Sequence, residues 1–309
     1  MDKIVLLGAP VEAGNHQRGC LMGPDAYRSA GLPENLAALG LNLRDLGNAE
    51  PLTVVDARSP IGKPFELQKV AGWTRSLFAH ARTLAQGDAL PVYLGGDHSM
   101  SLGTVSGHAA AAQEAGRPLF VLWLDAHADF NTFETSETGH LHGMPLAYAC
   151  GLPGFEPLLG ESLVATVDPG RVCILGLRSV DRSEGRLLRD AGVEAHDMRA
   201  IDEAGVERLL EPFLERVATE GGYLHVSLDV DFLDPVIAPG VGTTVPGGAT
   251  FREAHLVMEM LHDSGLVSSL DLAELNPFLD ERGRTARLMS DLTASLFGRR
   301  VLDRPTRSY

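Results

Sequence analysis

The sequence predicts an α/β fold, a three-layer sandwich in which a central, mostly parallel sheet carries helices on both faces. Three observations point there. Short apolar runs alternate with segments of helical period along the whole chain, as repeated strand and helix units require. The runs are short and mostly apolar, which suits a sheet covered by helices on both faces. Acidic and histidine residues fall directly after several runs, at the carboxyl ends of the expected strands, where open parallel sheets bind ligands.

The elements follow in order. Lys3 to Gly8 reads as the first strand, its apolar run being too short for a signal-peptide core. Further strands are expected at Leu41 to Leu46, Pro91 to Leu94, Pro118 to Leu124, Arg171 to Leu177, Tyr223 to Leu228 and Ser268 to Ala273. Helices are expected between them at Gly23 to Ala30, Pro64 to Ala85, Ser101 to Ala115, Arg182 to Ala191, Asp202 to Thr219, Thr250 to Asp263 and Thr285 to Phe297. No Ser/Gly/Pro linker, repeat or low-complexity tract interrupts the units, so residues 1–309 read as one domain.

Composition excludes several classes. A net charge of −15, from 26 basic against 41 acidic residues, speaks against a nucleic-acid or acidic-membrane binder, which would need a basic face. No apolar stretch approaches the length of a membrane span. Cys20, Cys150 and Cys173 are odd in number, widely separated and without a CxxC pair, so neither a disulfide framework nor a thiolate zinc site is indicated. Cys173, inside an apolar run, reads as a small core hydrophobe. A reducing, cytoplasmic setting is expected.

Two runs carry the chemistry: Asp125-Ala126-His127-Ala128-Asp129 and Ser227-Leu228-Asp229-Val230-Asp231. Their ionisable groups stand at i, i+2, a spacing that turns side chains to one side of an extended segment. Five such groups in a water-poor pocket would repel one another unless a cation sat among them. His98, after Leu94-Gly95-Gly96-Asp97, adds a sixth ligand at a third strand end, and Glu274 closes a fourth. A lone DxH or DxD is common in loops, and a lone histidine is commonly a packing residue; joint occurrence at three strand ends carries the metal reading. Six oxygen and imidazole ligands exceed what one catalytic zinc uses and suit two metals sharing carboxylates, with a lean toward manganese. Such a pair lowers the pKa of a shared water.

These motifs resemble the ureohydrolase family, the arginases, agmatinases and their relatives. The resemblance rests on Gly95-Gly96-Asp97-His98-Ser99, the two runs above continued through Phe232-Leu233-Asp234-Pro235, and Asp271-Leu272-Ala273-Glu274-Leu275-Asn276-Pro277, and covers nearly the whole chain. It implies a hydrolase of guanidino compounds with two Mn2+ per chain that releases urea. One manganese would be held by His98, Asp125, Asp129 and Asp229, the other by Asp125, His127, Asp229 and Asp231, with Asp125 and Asp229 bridging. Asp129 resembles the residue that carries a proton to the leaving amine, Glu274 the carboxylate that orients the guanidinium, and His142 the family's proton-shuttling loop histidine. The resemblance also implies a homo-oligomer, trimer or hexamer; the basic tail Arg299 to Arg307 would be an interface segment or a solvated end.

The far end of the substrate falls to other residues. In the arginase pattern the loop after the DxHxD run reads a carboxylate through Asn, Ser and Asn; here Asn131, Thr138 and His140 stand there, and His140 is the real departure. Asp181 and Glu184 match acids on the α-ammonium side, or else are only the N-cap and N3 acid of a helix. Thr243 matches a hydroxyl near the guanidinium. The pattern fits L-arginine as substrate, cleaved to ornithine and urea, with agmatine or a guanidino acid as the alternative. A one-zinc deacetylase would not need His98, Asp129 and Asp231 together, and a pseudoenzyme would have no use for six acids and histidines that are costly to bury without metal.

Overall fold

The computed structural model describes residues 2–59, 61–62, 64–159 and 165–300. Positions 301–307 of the basic tail therefore lie outside the described residues. Chain order is β1 (Lys3–Ala9), α1 (Gly23–Ser29), α2 (Leu32–Ala37), β2 (Asn42–Asn48), α3 (Leu67–Ala85), β3 (Leu90–Gly95), α4 (Ser101–Glu114), β4 (Leu119–Leu124), α5 (Pro145–Ala149), α6 (Glu156–Leu159), β5 (Val172–Leu177), α7 (Arg182–Ala191), β6 (Glu194–Asp197), α8 (Met198–Ala204), α9 (Val206–Thr219), β7 (Tyr223–Asp229), α10 (Phe251–Ser264), β8 (Val267–Ala273) and α11 (Arg284–Leu296).

All strand pairs are parallel, in the order β2-β1-β3-β8-β7-β4-β5-β6. The two-residue period of a strand builds the layers. In β4, Phe120, Leu122 and Leu124 face an apolar cluster with residues of α9, α10 and α11, while Leu119, Val121 and Trp123 face a second cluster with residues of α3, α4 and α5. All six are buried, and each such side chain contributes about 1.5–3 kcal/mol relative to exposure. The central strands are thus covered on both faces, while the edge strands β2 and β6 stay partly exposed.

Three departures from the expected elements have local causes. The helix expected over Asp202 to Thr219 is broken at Gly205, whose φ of 80° and ψ of 156° no helix accommodates. Helix α3 begins at Leu67, not Pro64, after Glu66 in a left-handed conformation. Strand β6 has no apolar run to betray it, only Glu194-Ala195-His196-Asp197, because it is the outermost strand with one open edge.

Candidate metal centre

The residues with chemistry stand at the carboxyl ends of β3, β8, β7 and β4, four consecutive strands of the sheet. After β3 the chain must pass close under its neighbours. A Cβ on Gly96 would stand 2.0 Å from the carbonyl oxygen of Val11, so only glycine fits. Asp97 then accepts from the backbone N–H groups of Gly14 (2.7 Å) and Ser99 (3.0 Å), starting a 3-10 turn that carries His98 inward. After β4 and β7 the first aspartate of each pair bends the chain. Asp125 Oδ1 accepts from His127 N, and Asp229 Oδ1 from Asp231 N, each at 2.7 Å. The i, i+2 side chains therefore converge through Asx-type turns just past the strands, a correction to the extended geometry expected from sequence.

The six ligand types meet in two overlapping groups. His98 Nδ1 lies 3.1 Å from Asp125 Oδ2, 3.1 Å from Asp129 Oδ2 and 2.9 Å from Asp229 Oδ2. His127 Nδ1 lies 3.0 Å from Asp231 Oδ2 and 3.5 Å from Asp125 Oδ1. Ligand atoms of His98, Asp125 and Asp229 fall within 4.8 Å of one another, and so do those of Asp125, His127 and Asp231. Asp125 belongs to both groups.

One buried atom tests whether a cation fits. Three carboxylate oxygens surround His98 Nδ1, yet none sits in line to receive a hydrogen bond from it. Its Nε2 is 2.7 Å from Ser227 Oγ. A tautomer protonated at Nε2 donates to Ser227 and leaves the Nδ1 lone pair aimed among oxygens, the arrangement of a metal ligand held by a second hydrogen bond. Trp123 fixes the same ring by stacking on it, centroids 4.2 Å apart and planes 8° from parallel, and donates Nε1–H to Asp125 Oδ2 at 3.0 Å.

Without a cation the cluster sorts its protons by position. Burial opposes ionisation of Asp125, but His127 and His98 hold its carboxyl far below the usual range. Burial and the Asp231 and Asp125 charges push Asp229 well up; burial and the Asp125 charge push Asp129 up to about 6. Burial disfavours a charged His127, yet Asp125 and Asp231 raise it to about 12. Protons here stand in for missing positive charge, so binding cations must release them.

Glu274 ends β8 beside the cluster. Its Oε1 accepts from His98 N at 2.7 Å and lies 2.9 Å from His142 Nδ1; the Cys20 thiol touches its Oε2 at 3.7 Å. Burial works against a charged His142 ring, but the Glu274 carboxylate raises it to about 9. Asp129 and Glu274 both hold left-handed backbone, with φ of 49° and 64°, a conformation that costs a non-glycine residue about 1–3 kcal/mol and concentrates at functional sites. Thr243 Oγ1 donates to Asp231 Oδ2 at 3.0 Å.

The remaining sequence candidates lie in the loop after β4 and at the start of α7. Asn131 Oδ1 accepts from Thr135 Oγ1 at 2.9 Å, and Thr138 Oγ1 from His140 N at 3.2 Å. The His140 ring contacts His16 Nδ1 through its Nε2 and lies 5.8 Å from the His142 ring, centroid to centroid. Asp181 and Glu184 form the capping box of α7; Glu184 is buried, with Oε1 accepting from Phe130 N at 2.9 Å and Oε2 from Asp181 N at 3.3 Å. Burial raises its pKa to about 7. Glu184 thereby ties α7 to the segment that carries Asp129.

Sequence reasoning missed four supports: Asp97, Ser227, Trp123 and Arg178. The Arg178 guanidinium donates to the backbone carbonyls of Gly176, Asp231, Phe232, Leu233 and Val245, pinning the segment with Asp231 to the loop with Thr243. Asp97 and Ser227 sit inside the quoted motifs, which was the available signal.

A profile of the arginase family matches residues 2–298. An arginase of Agrobacterium fabrum is 60% identical over 98% of this chain and 93% of its own length, and one of Brucella melitensis 56% over 98% and 99%. Among solved structures, Bacillus subtilis arginase superposes with a TM-score of 0.86 at 37% identity, covering 97% of this chain and all of that one. Bacillus caldovelox arginase gives 0.87 at 38%, with the same coverage.

Proposed function

The chain belongs to the arginase family, and from that premise we propose that it hydrolyses L-arginine to ornithine and urea at a pair of Mn2+ ions. The observation that carries this reading is His98 Nδ1, buried without a hydrogen-bond partner and within 3.1 Å of three carboxylate oxygens. His98, Asp125, Asp129 and Asp229 would hold one ion, and Asp125, His127, Asp229 and Asp231 the other. When bound, such a pair supplies Lewis acidity that lowers the pKa of water and stabilises charge on a tetrahedral transition state.

The chain's own residues do the rest. Glu274, fixed by His98 N–H, receives the guanidinium through charge-assisted hydrogen bonds and turns its carbon toward the cluster. Asp129 takes the proton of the attacking water and passes it to the leaving amine, so that guanidinium and water become urea and an amine. His142, paired with buried Glu274 and itself partly exposed, exchanges protons between the site and solvent. Asn131, Thr138, His140, Asp181, Glu184 and Thr243 shape the pocket for the rest of the substrate.

The same proposal takes residues 1–309 as one catalytic domain. A cytoplasmic setting is in keeping with three buried free cysteines, and a trimeric or hexameric assembly is checked by light scattering. A panel of arginine, agmatine and shorter guanidino acids, assayed for urea with manganese present, tests the substrate. Arginine is expected to give the highest kcat/KM, and preference for agmatine would refute the assignment.

A further inference from the structure

A second group of metal-ligand side chains lies at the opposite edge of the sheet from β1 and β2, away from the strand ends already described. The β5–β6 register pairs Cys173 with Glu194 and Leu175 with His196. Alternate residues of a strand share a face, so Cys173, Glu194 and His196 stand together on one side of the outermost ladder. The Cys173 Sγ, a Glu194 oxygen and a His196 ring nitrogen all fall within 4.8 Å of one another. His196 Nε2 is 3.0 Å from Glu194 Oε1, while Arg216 holds Glu194 Oε2 and so orients the other oxygen toward the ring. Arg216 is itself steadied by the Gly170 carbonyl at 3.2 Å. Cys173 is buried and the other two are half-buried, so the group is walled on the core side and open toward solvent.

We propose that Cys173, Glu194 and His196 form a zinc site with three protein ligands and a fourth position open to water. Sulfur, imidazole and carboxylate together are a zinc donor set, and the sulfur sets it apart from the oxygen and imidazole donors at the strand ends. Ligand atoms about 2.0–2.3 Å from a tetrahedral ion stand roughly 3.3–3.8 Å apart, which small side-chain rotations within the present group supply. On binding, the thiol proton leaves to solvent as the sulfur–zinc bond forms. Zn2+ with one thiolate, one carboxylate and a neutral imidazole is then uncharged, which a half-buried position tolerates. The ion would fasten the four-residue edge strand β6 to β5 independently of the guanidino chemistry.

The test uses the full chain saturated with manganese and titrated with Co2+ as the probe, reading the sulfur-to-cobalt charge-transfer absorption in the near ultraviolet. That band requires a thiolate ligand, and the strand-end cluster has none among its six ligand groups. The band is expected to appear, to be abolished by added Zn2+, to be absent from Cys173→Val, and to need about tenfold or more Co2+ in His196→Ala. Urea release by both variants with manganese is expected to stay within about twofold of the parent, since neither residue touches the strand-end cluster. No band in the parent, a band that persists in Cys173→Val, or an unchanged Co2+ affinity in His196→Ala overturns the proposal. The histidine variant decides the matter if the core substitution fails to fold.

Discussion

The strand-end cluster and the loop carrying Thr138 and His140 are neighbours, yet they are held in opposite ways. His98, Asp125, Asp229 and Asp231 are each 2% exposed or less. Backbone N–H groups pin the carboxylates: His127 N on Asp125, Asp231 N on Asp229, Ala126 N on Asp231. Thr138 is exposed, and the half-buried His140 leans on His16 and Phe65, which come from other loops. The cluster is part of the sheet's framework, whereas the loop is tied only by scattered bonds to other loops, Phe65 N to the Gly139 carbonyl at 2.9 Å and His142 N to that of Gly14 at 3.2 Å, and by side-chain contacts. Chemistry should therefore be brittle to substitution and substrate preference pliable.

The largest effect is expected at Asp129. Changing it to Asn keeps the shape but removes the proton acceptor, so urea release should fall by about 10²–10⁴-fold while metal analysis still finds most of the metal bound. Near-normal turnover would remove its proton-transfer role and the brittleness with it.

Next comes the ion pair that joins the two regions. Glu274 raises the folded-state pKa of His142 from 6.5 to about 9 against the opposing pull of burial. A raised histidine favours the folded state when protonated, so its contribution is whole below about pH 6.5 and is lost as pH rises through 9. Denaturant titrations of the metal-free protein should lose up to about 3 kcal/mol more across that window than His142→Gln does. Identical pH profiles for the two would mean that the pair does not couple loop to cluster.

A smaller change is expected from Ser227→Ala, which takes away the hydrogen-bond partner of His98 Nε2 but no ligand. Metal affinity, read by equilibrium dialysis, should weaken about 10–100-fold. An unchanged affinity would show that stacking on Trp123 alone orients the ring. The smallest effect belongs to the loop: His140→Asn is expected to lower KM for arginine a few-fold and leave kcat alone. A change in kcat instead would place His140 with the chemistry.

What could be read from the sequence follows the same division. Asp125, His127, Asp129, Asp229 and Asp231 were legible because a strand end and a two-residue spacing are local properties, and His98 and Glu274 because each follows an apolar run. Seven of the strands were legible for the same reason. Arg178 was not, because its five carbonyl partners come from three separate segments. The group Cys173, Glu194 and His196 was hidden more deeply. No short spacing links Cys173 to the other two; only pairing between β5 and a strand without an apolar run brings them together. Asp181 and Glu184 were legible as a helix start, and the capping box of α7 is where the structure places them.

The most direct test is the rate of urea release from L-arginine as manganese is added to the metal-free protein in known equivalents per chain. The rate is expected to climb until two equivalents are bound and then level off. Saturation at one equivalent, or no urea at any loading, would contradict a two-metal hydrolase of arginine.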